Sequence, residues 1–522
     1  MTTDIYLDCN ATTPVLPAAL AAAQNAMGAL FGNPSSSHTT GLQARHIVDS
    51  VRACAARVLG SGDGQLVFTS GATEGIQTAV LSALCAVRDR QARGEATGGL
   101  LLYGATEHKA VPQSLAHWNA VLGLQLELRA LPVDAQGRHD LAVLRALAPQ
   151  AALVCTMAAN NETGVVSDLA GIEAVLNGVA PQAYWLVDCV QALGKLPLQL
   201  AQTRIDYAPF SGHKLYAPKG IGLLYVRRGA PFTPLLAGGG QEAGRRAGTE
   251  NMVGIAALGA VLQALEDGGS FCSPAQMLQF REQLAQSLRA TWPDIVFNAP
   301  FATALPTTLN FSVSGMTSSV IVDLLDAAGV RVSAGSACSA QLAAPSYVLQ
   351  AMGVPDWQAA SAVRLSFGAL ADDAFIDAAC ARIARCGAAW RAEAAQPLPD
   401  ALPPRHGPAL ADDPAMHLQP AGLNNFLRNH PEAVLVDVRE AYEHRADPQP
   451  LRFGRAARNA PLGRLGPQLA DCLGDPAVPL VFFCRSGRRS LRAVQTLRQL
   501  GYAQVWQVVG GLATNSIAAS AD

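Results

Sequence analysis

Five short apolar runs separated by longer segments constrain the first 260 residues more than any other feature: LVF at 66–68, LLLY at 100–103, AALVCTMA at 151–158, YWLVD at 184–188 and IGLLYV at 221–226. Short apolar runs without polar alternation read as strands covered on both faces. Several are separated by segments of helical length, which predicts an α/β layer architecture around a mostly parallel sheet. Residues 275–290 have helical periodicity behind a serine cap, and 305–390 mix strands such as TLNFSV with helices, predicting a smaller α+β unit.

At 522 residues the chain is too long for a single ordinary core. Residues 394–417 are rich in Pro and Ala without a periodic apolar face, and read as a linker. Beyond them AVLVDV (433–438), VPLVFF (478–483) and VWQVV (505–509), with a helix over 490–501, predict a separate α/β domain. The division expected is therefore a large unit over about 16–262, a small unit built from 1–15 and 263–393, the linker, and a last domain over 418–522.

Charge and cysteine usage narrow the function classes. The net charge is −2, which offers no overall cationic surface for nucleic acid or an anionic membrane. No apolar run approaches the roughly 18 residues of a membrane span, and MTTDIYLDCN has no leader pattern, so a cytoplasmic protein is expected. Eleven cysteines without CxxC spacing argue for reduced thiols and against a metal site. Lysine occurs at only four positions, 109, 195, 214 and 219, so any amine chemistry must use one of them.

Ser70 to Gly75 form a small-residue turn between a strand and a helix, where backbone amides can hold a phosphate; an ordinary strand-to-helix turn is the bland alternative. Asp188 ends the strand YWLVD, where a carboxylate faces the crevice at the carboxyl edge of a parallel sheet and can partner a pyridinium nitrogen. In SGHKLYAPKGIG, Lys214 lies beside Ser211 and His213, both able to donate to a phosphate; an aldehyde cofactor needs such an amine. Lys195 in GKLP and Lys219 in PKG read as solvated surface lysines.

IYLDCNATTPVLP, FGNPSSSHTTG, TSGATEG, TEHKAV, NNETGVV, VDCVQALGKLP, SGHKLYAPKGIG, GGGQEAGRRAGTEN, SAGSACSA and VRLSFG follow one another over residues 3–390. In that order they closely resemble the group I (NifS/IscS-like) cysteine desulfurases of the class V aminotransferase family. The resemblance implies a pyridoxal 5'-phosphate (PLP) transferase of fold type I, with a large parallel or mixed sheet domain and a small α+β domain, acting as a homodimer on L-cysteine. It implies that Lys214 tethers the cofactor, Asp188 pairs with the ring nitrogen, Gln191 meets the ring hydroxyl, and His108 stacks on the ring and takes part in proton transfer. Ala72, Thr73, Ser211 and His213 match phosphate-binding positions, and Thr249 one contributed by the other subunit. Asn161 and Arg364 match groups that position the substrate, Arg364 on its carboxylate. Cys338, amid Gly, Ser and Ala, matches the nucleophile that takes the sulfur as a persulfide and releases L-alanine. Cys9 occupies a variable place, and Ala247 replaces a more usual serine.

In the last domain Cys484 follows VPLVFF and precedes Arg485, Ser486, Gly487, Arg488 and Arg489 at the start of a helix, a setting that stabilises a thiolate or bound anion. LVDVRE (435–440) and CRSGRRS resemble a rhodanese domain over about 418–516, with Asp437 and Arg439 as a structural pair. A cysteine phosphatase loop would need Arg six positions after the thiol, where Ser490 stands. The expectation is a fused relay in which Cys338 passes sulfur to Cys484, the linker keeping the two sites at high effective concentration. The final acceptor is a protein or small thiol; iron-sulfur cluster assembly is one such destination. Competing readings are a selenocysteine lyase or class V aminotransferase, with the rhodanese domain serving only as a docking module.

Overall fold

The computed structural model describes residues 4–334, 345–394, 414–464, 478–499 and 502–518. β1 (Ile5–Tyr6), α1 (Pro17–Gly28) and α2 (Thr39–Leu59) precede a run of alternating elements: β2 (Gln65–Thr69), α3 (Ala72–Ala92), β3 (Leu100–Gly104), α4 (Ala110–Val121), β4 (Glu127–Leu131), α5 (Leu141–Leu147), β5 (Ala151–Met157), α6 (Leu169–Val179), β6 (Tyr184–Asp188), β7 (Tyr207–Ser211), β8 (Gly222–Val226) and α7 (Met252–Asp267). These strands form one sheet in the order β2-β8-β7-β6-β5-β3-β4. β8 runs antiparallel to both β2 and β7, so the sheet is mixed; the remaining pairings are parallel. β5 is buried at every position, as a central strand with helices on both faces must be. The helices start where side chains satisfy their free amides: Asp140, Asp168 and Asn251 accept from the first turns of α5, α6 and α7.

The chain then builds a second, smaller layer. α8 (Pro274–Thr291) begins at a Ser273 capping box, close to the range its periodicity predicts. β9 (Ile295–Phe297), β10 (Thr308–Val313), α9 (Ser318–Ala327), β11 (Val330–Arg331), β12 (Ser333–Ala334), α10 (Tyr347–Ala351), α11 (Asp356–Ser361), β13 (Val363–Ser366) and α12 (Asp373–Ala394) follow. Four strands make an antiparallel sheet in the order β12-β13-β10-β9. β1 pairs in parallel with β11, bringing the start of the chain back to this layer. Phe280, Phe311, Phe367, Leu284 and Ile383 fill the core between the sheet, α8 and α12.

The last unit contains β14 (His417–Leu418), α13 (Pro420–Asn429), β15 (Val434–Asp437), α14 (Ala441–Ala446), β16 (Ala457–Asn459), β17 (Leu480–Phe483), α15 (Arg488–Gln499) and β18 (Val505–Val508). Its five strands are all parallel, in the order β14-β18-β17-β15-β16. This unit rests on the second layer. Tyr442 of α14 meets Trp390 of α12 edge to face at 5.4 Å, and Ala446 joins the core cluster that holds Ile321 and Leu324. Arg445 pairs with Glu393 at 2.8 Å, and Arg485 with Asp323 of α9 at 2.5 Å. The sequence left the placing of this domain open; α14, amphipathic through Tyr442 and Ala446, gives it an apolar seat. No helix among the described residues is long and apolar enough to cross a membrane.

Candidate active site

At the carboxyl edge of β5 and β6 a cavity of about 520 Å³ opens between the first and second layers. Asn10, Ala72, Thr73, His108, Asn161, Asp188, Gln191, Ser211, His213, Lys214 and Arg364 all line it. Residues as far apart in the chain as Asn10 and Arg364 thus converge where an open α/β sheet places its ligands. The sequence also missed Lys109, Glu162 and Tyr347 in the wall, and Lys219, read as a plain surface lysine, stands at its rim.

One end of the cavity is the turn into α3. Gly71 precedes the helix without a side-chain cap, so the first-turn amides of Ala72 and Thr73 lack intrahelical acceptors. Glu74 accepts from the Ser70 amide at 2.8 Å and from Arg246 at 3.0 Å; burial alone would raise its pKa, but these partners lower it. A side chain at Gly222 would place its Cβ 2.7 Å from the Gly71 Cα, so only glycine lets β8 lie this close to the turn. Across the turn, His213 is shifted down to about 4 by burial, then by Lys214 and Lys219, and so presents a neutral ring near pH 7. Thr249 lies apart from this cavity: it lines a neighbouring one of about 250 Å³ with Ser70, Gly220 and Arg246.

At the other end, Lys214 Nζ donates to the carbonyls of Asn10 at 2.6 Å and Ala11 at 2.7 Å. Asp188 Oδ1 accepts from the Val190 amide at 2.9 Å, and burial raises its pKa against the opposing pull of that bond, His108 and Lys214. His108 is shifted down, chiefly by burial, with Asp188 opposing and Lys214 and Lys109 adding to the shift. Its Nδ1 accepts from the Ala110 amide, which leaves Nε2 to carry the proton of the neutral ring. Arg364, 2% exposed, donates to Asp8 Oδ1 at 2.6 Å, to the Asn161 carbonyl at 3.0 Å and to Ser333 Oγ at 3.3 Å. Asp8 is therefore the carboxylate that holds this guanidinium, a role the sequence did not disclose. Asn160 folds the NNETG turn by accepting from the amides of Glu162 and Thr163, while the buried Oδ1 of Asn161 has no partner among the described residues. Glu162 accepts from Ser346 Oγ at 2.6 Å and is pushed up to about 7 by burial.

Lys195 departs from its sequence reading. Its Nζ turns inward and donates to Gln191 Oε1 at 2.5 Å and Asn10 Oδ1 at 3.1 Å, directly behind the cavity wall. Cys338 lies outside the described residues; the structure resumes at 345, with Tyr347 on the cavity wall.

The Cys484 loop has a different character. The thiol is fully buried at the end of β17, with Ser490 Oγ at 3.7 Å. The Leu512 amide donates to the Cys484 carbonyl, and the Ala513 amide to that of Arg485. A Cβ on Gly511 would stand 2.2 Å from the Cys484 carbonyl oxygen, so the glycine pair at 510–511 exists to let this backbone close on the loop. The arginines do not simply surround the thiol: Arg489 is paired with Glu443 at 2.5 Å and Arg485 with Asp323, leaving Arg488 exposed to solvent. Asp437 and Arg439 are joined in a buried bidentate pair, Nε to Oδ1 and Nη2 to Oδ2 at 3.0 and 2.7 Å, with Asp447 and His444 attached. Among the described residues no cluster of His, Cys, Asp and Glu could hold a metal ion.

Residues 5–378 match the family model of class-V aminotransferases. The chain belongs to the class-V aminotransferase family. Among curated relatives it is 39% identical over 375 residues to a cysteine desulfurase of Gluconacetobacter diazotrophicus, spanning 72% of this chain and 90% of the relative. A cysteine desulfurase of Cereibacter sphaeroides is 38% identical over the same share of this chain and 93% of its own length. Among solved structures, a NifS-like protein superposes with a TM-score of 0.64 at 29% identity, covering 73% of this chain and 98% of that one. A NifS-like protein from Rickettsia africae gives 0.61 at 27%, covering 72% and 98%. Residues 420–514 match a rhodanese-like domain. Members of the family use pyridoxal phosphate. The cavity fits that group: free helix amides for a phosphate, a desolvated carboxylate for a cationic ring nitrogen, an amine between them, and the unpartnered Asn161 Oδ1.

Proposed function

We propose that this chain is a PLP-dependent cysteine desulfurase, releasing L-alanine from L-cysteine and holding the sulfur as a persulfide on Cys338. The observation that carries the reading is the convergence of Lys214, Asp188, His108, Asn161 and Arg364 on one cavity. Bound there, the cofactor would supply an electron sink that lets the substrate's α-proton leave and weakens its bond to sulfur. Ala72, Thr73, Ser211 and His213 would hold the phosphate end, Asp188 the ring nitrogen and Gln191 the ring hydroxyl. Lys214 Nζ would be the amine that holds the aldehyde and the base that moves the substrate's α-proton, with His108 Nε2 as the neighbouring donor. Arg364 receives the substrate carboxylate, exchanging its contact with Asp8 for the incoming anion, and Asn161 orients the bound amino acid. The Cys338 thiolate then attacks the substrate sulfur: the carbon–sulfur bond breaks, a sulfur–sulfur bond forms, and the carbon takes a proton, so no external oxidant is required.

We further propose that Cys484 attacks the outer sulfur of that persulfide, regenerating the Cys338 thiolate and carrying the sulfur toward a protein or small-thiol acceptor. Docking of α14 and the Cys484 loop against α9 and α12 supports an intramolecular transfer. The units proposed are a desulfurase over 1–393 and a rhodanese domain over 418–522, joined by 394–417. A homodimer is supported by the exposed apolar side chains of Leu20, Met27, Phe31 and Leu42 on α1, α2 and the turn between them. In that dimer Thr249 would serve the partner's phosphate site.

The test is alanine formation from L-cysteine by the cofactor-loaded full chain with a thiol reductant, in the wild type and in Cys338→Ala. Loss of desulfuration in the variant is expected. Undiminished alanine formation by Cys338→Ala would mark a lyase acting without that thiol; amino-group transfer without alanine or sulfur release, in either protein, would mark a transaminase.

A further inference from the structure

Lys195 is one of only four lysines, yet it lines neither of the two cavities described above and forms no ion pair among those described. It stands four residues beyond Gln191, on the turn that Gly194 closes with a φ of 73°. Two side-chain acceptors receive its Nζ: Gln191 Oε1 at 2.5 Å and Asn10 Oδ1 at 3.1 Å. Both residues are part of the cavity wall, and both continue into the site. Gln191 Nε2 donates to the Asn10 carbonyl at 3.2 Å, and that same carbonyl accepts from Lys214 Nζ at 2.6 Å. Asn10 Nδ2 donates to the Asn161 carbonyl at 3.2 Å and to Thr308 Oγ1 at 2.9 Å. One amine thus touches directly the group proposed to meet the ring hydroxyl, Gln191, and reaches through Asn10 those proposed to meet the aldehyde and the substrate, Lys214 and Asn161.

A lysine amine can only donate when charged, and both amides must therefore offer it oxygen. We infer that Lys195 is a positioning residue of the cofactor cavity: by occupying Gln191 Oε1 and Asn10 Oδ1 it fixes the Nε2 end of Gln191 as the donor that would meet the ring hydroxyl oxygen. The inference rests on the cavity holding a pyridoxal ring, as proposed above. Without Lys195 only the Asn10 carbonyl would favour this orientation, and a turned amide would set its oxygen against the ring oxygen and repel it. The charged and titratable groups facing Lys195 are Cys9, Lys214 and Arg364; burial brings its ammonium down to about 7, Cys9 opposing and the two cations adding to the fall. By reciprocity, Lys195 when charged makes a proton on Lys214 less favourable, which favours an amine ready to react with an aldehyde.

The experiment uses the cofactor-free full chain as wild type, Lys195→Met, Lys195→Arg, Gln191→Met and the Lys195→Met/Gln191→Met double variant, titrated with pyridoxal phosphate. Affinity and the pH midpoint of the visible absorption band are read separately from turnover. Lys195→Met is expected to weaken binding about tenfold and to raise the midpoint by about one pH unit, while Lys195→Arg stays within about twofold of wild type. In the Gln191→Met background, Lys195→Met should change affinity by less than about twofold, because its partner is already gone. Equal losses in both backgrounds, or Lys195→Met with wild-type affinity and midpoint, would overturn the inference. Should Lys195→Met not fold, Lys195→Gln, which keeps a donor without the charge, is expected to raise the midpoint, and an unmoved midpoint would count against it. A wild type that fails to bind pyridoxal phosphate at all contradicts the cofactor reading instead.

Discussion

The two proposed sulfur sites, the cavity and the Cys484 loop, are built in opposite ways. The cavity at the edge of β5 and β6 is open and lined with polar groups poised for a guest: amides without helical acceptors, a desolvated Asp188, an unpartnered Asn161 Oδ1. The Cys484 loop is closed on itself, with its thiol buried and two of its three arginines committed to carboxylates. A site that must bind a cofactor and a small zwitterion needs unsatisfied groups in a concave wall, whereas one that needs only accept a sulfur atom can be shut until its donor arrives.

The contrast can be broken most severely at the amine and the first thiol. Lys214→Ala and Cys338→Ala should each cut alanine formation by at least about a thousandfold, measured by amino-acid analysis after cysteine addition. Cys484→Ser should leave alanine formation with a strong reductant within about twofold of wild type and remove sulfur label from residues 418–522. Label persisting there would assign the C-terminal sulfur to another group. Reversing the docking charges with Asp323→Arg and Glu393→Arg should expose the loop: alkylation of Cys484 by iodoacetamide is expected to rise about tenfold, while alanine formation is unchanged. An unchanged alkylation rate would mean that burial within the rhodanese domain alone shields the thiol.

The smallest effect concerns acid stability. Asp437 is held down to about 2: burial raises it, but His444 and Arg439 outweigh that. Because the folded value lies below the ordinary one near 3.9, the stabilisation is complete above about pH 4 and is lost as pH falls toward 2, amounting to about 2 kcal/mol. Asp437→Asn should lower the unfolding midpoint of the rhodanese domain at pH 7 more than at pH 2, followed by circular dichroism. The desulfurase cavity, whose Asp188 is shifted upward, should show no matching acid loss from that carboxylate.

Much of this was legible in the sequence because local chemistry dictates it. β5 and β6 are continuous apolar runs, and Ser273 begins α8 with a capping box that needs no distant partner. Two strands of the large sheet escaped for physical reasons. β4, ELRAL, lies at the sheet edge and is partly exposed, so it has no apolar run; β7, YAPFS, carries Pro209, which reads against a strand inside a sheet. Pairing across the sequence was the larger blind spot. Asp8 reaches Arg364 across 356 positions and Lys195 reaches Asn10 across 185, and neither contact leaves a spacing that a linear reading could find. The seat of the last domain was hidden for the same reason, since Tyr442, Ala446 and Arg485 acquire meaning only beside Trp390, Ile321 and Asp323.

The most direct test of the relay is peptide mass mapping of the full chain shortly after L-cysteine is added without reductant. The account predicts an added sulfur, about 32 Da, on the peptide holding Cys338 and on the one holding Cys484, the second appearing after the first. Sulfur confined to Cys338 through many turnovers, with Cys484 still a plain thiol, would contradict it.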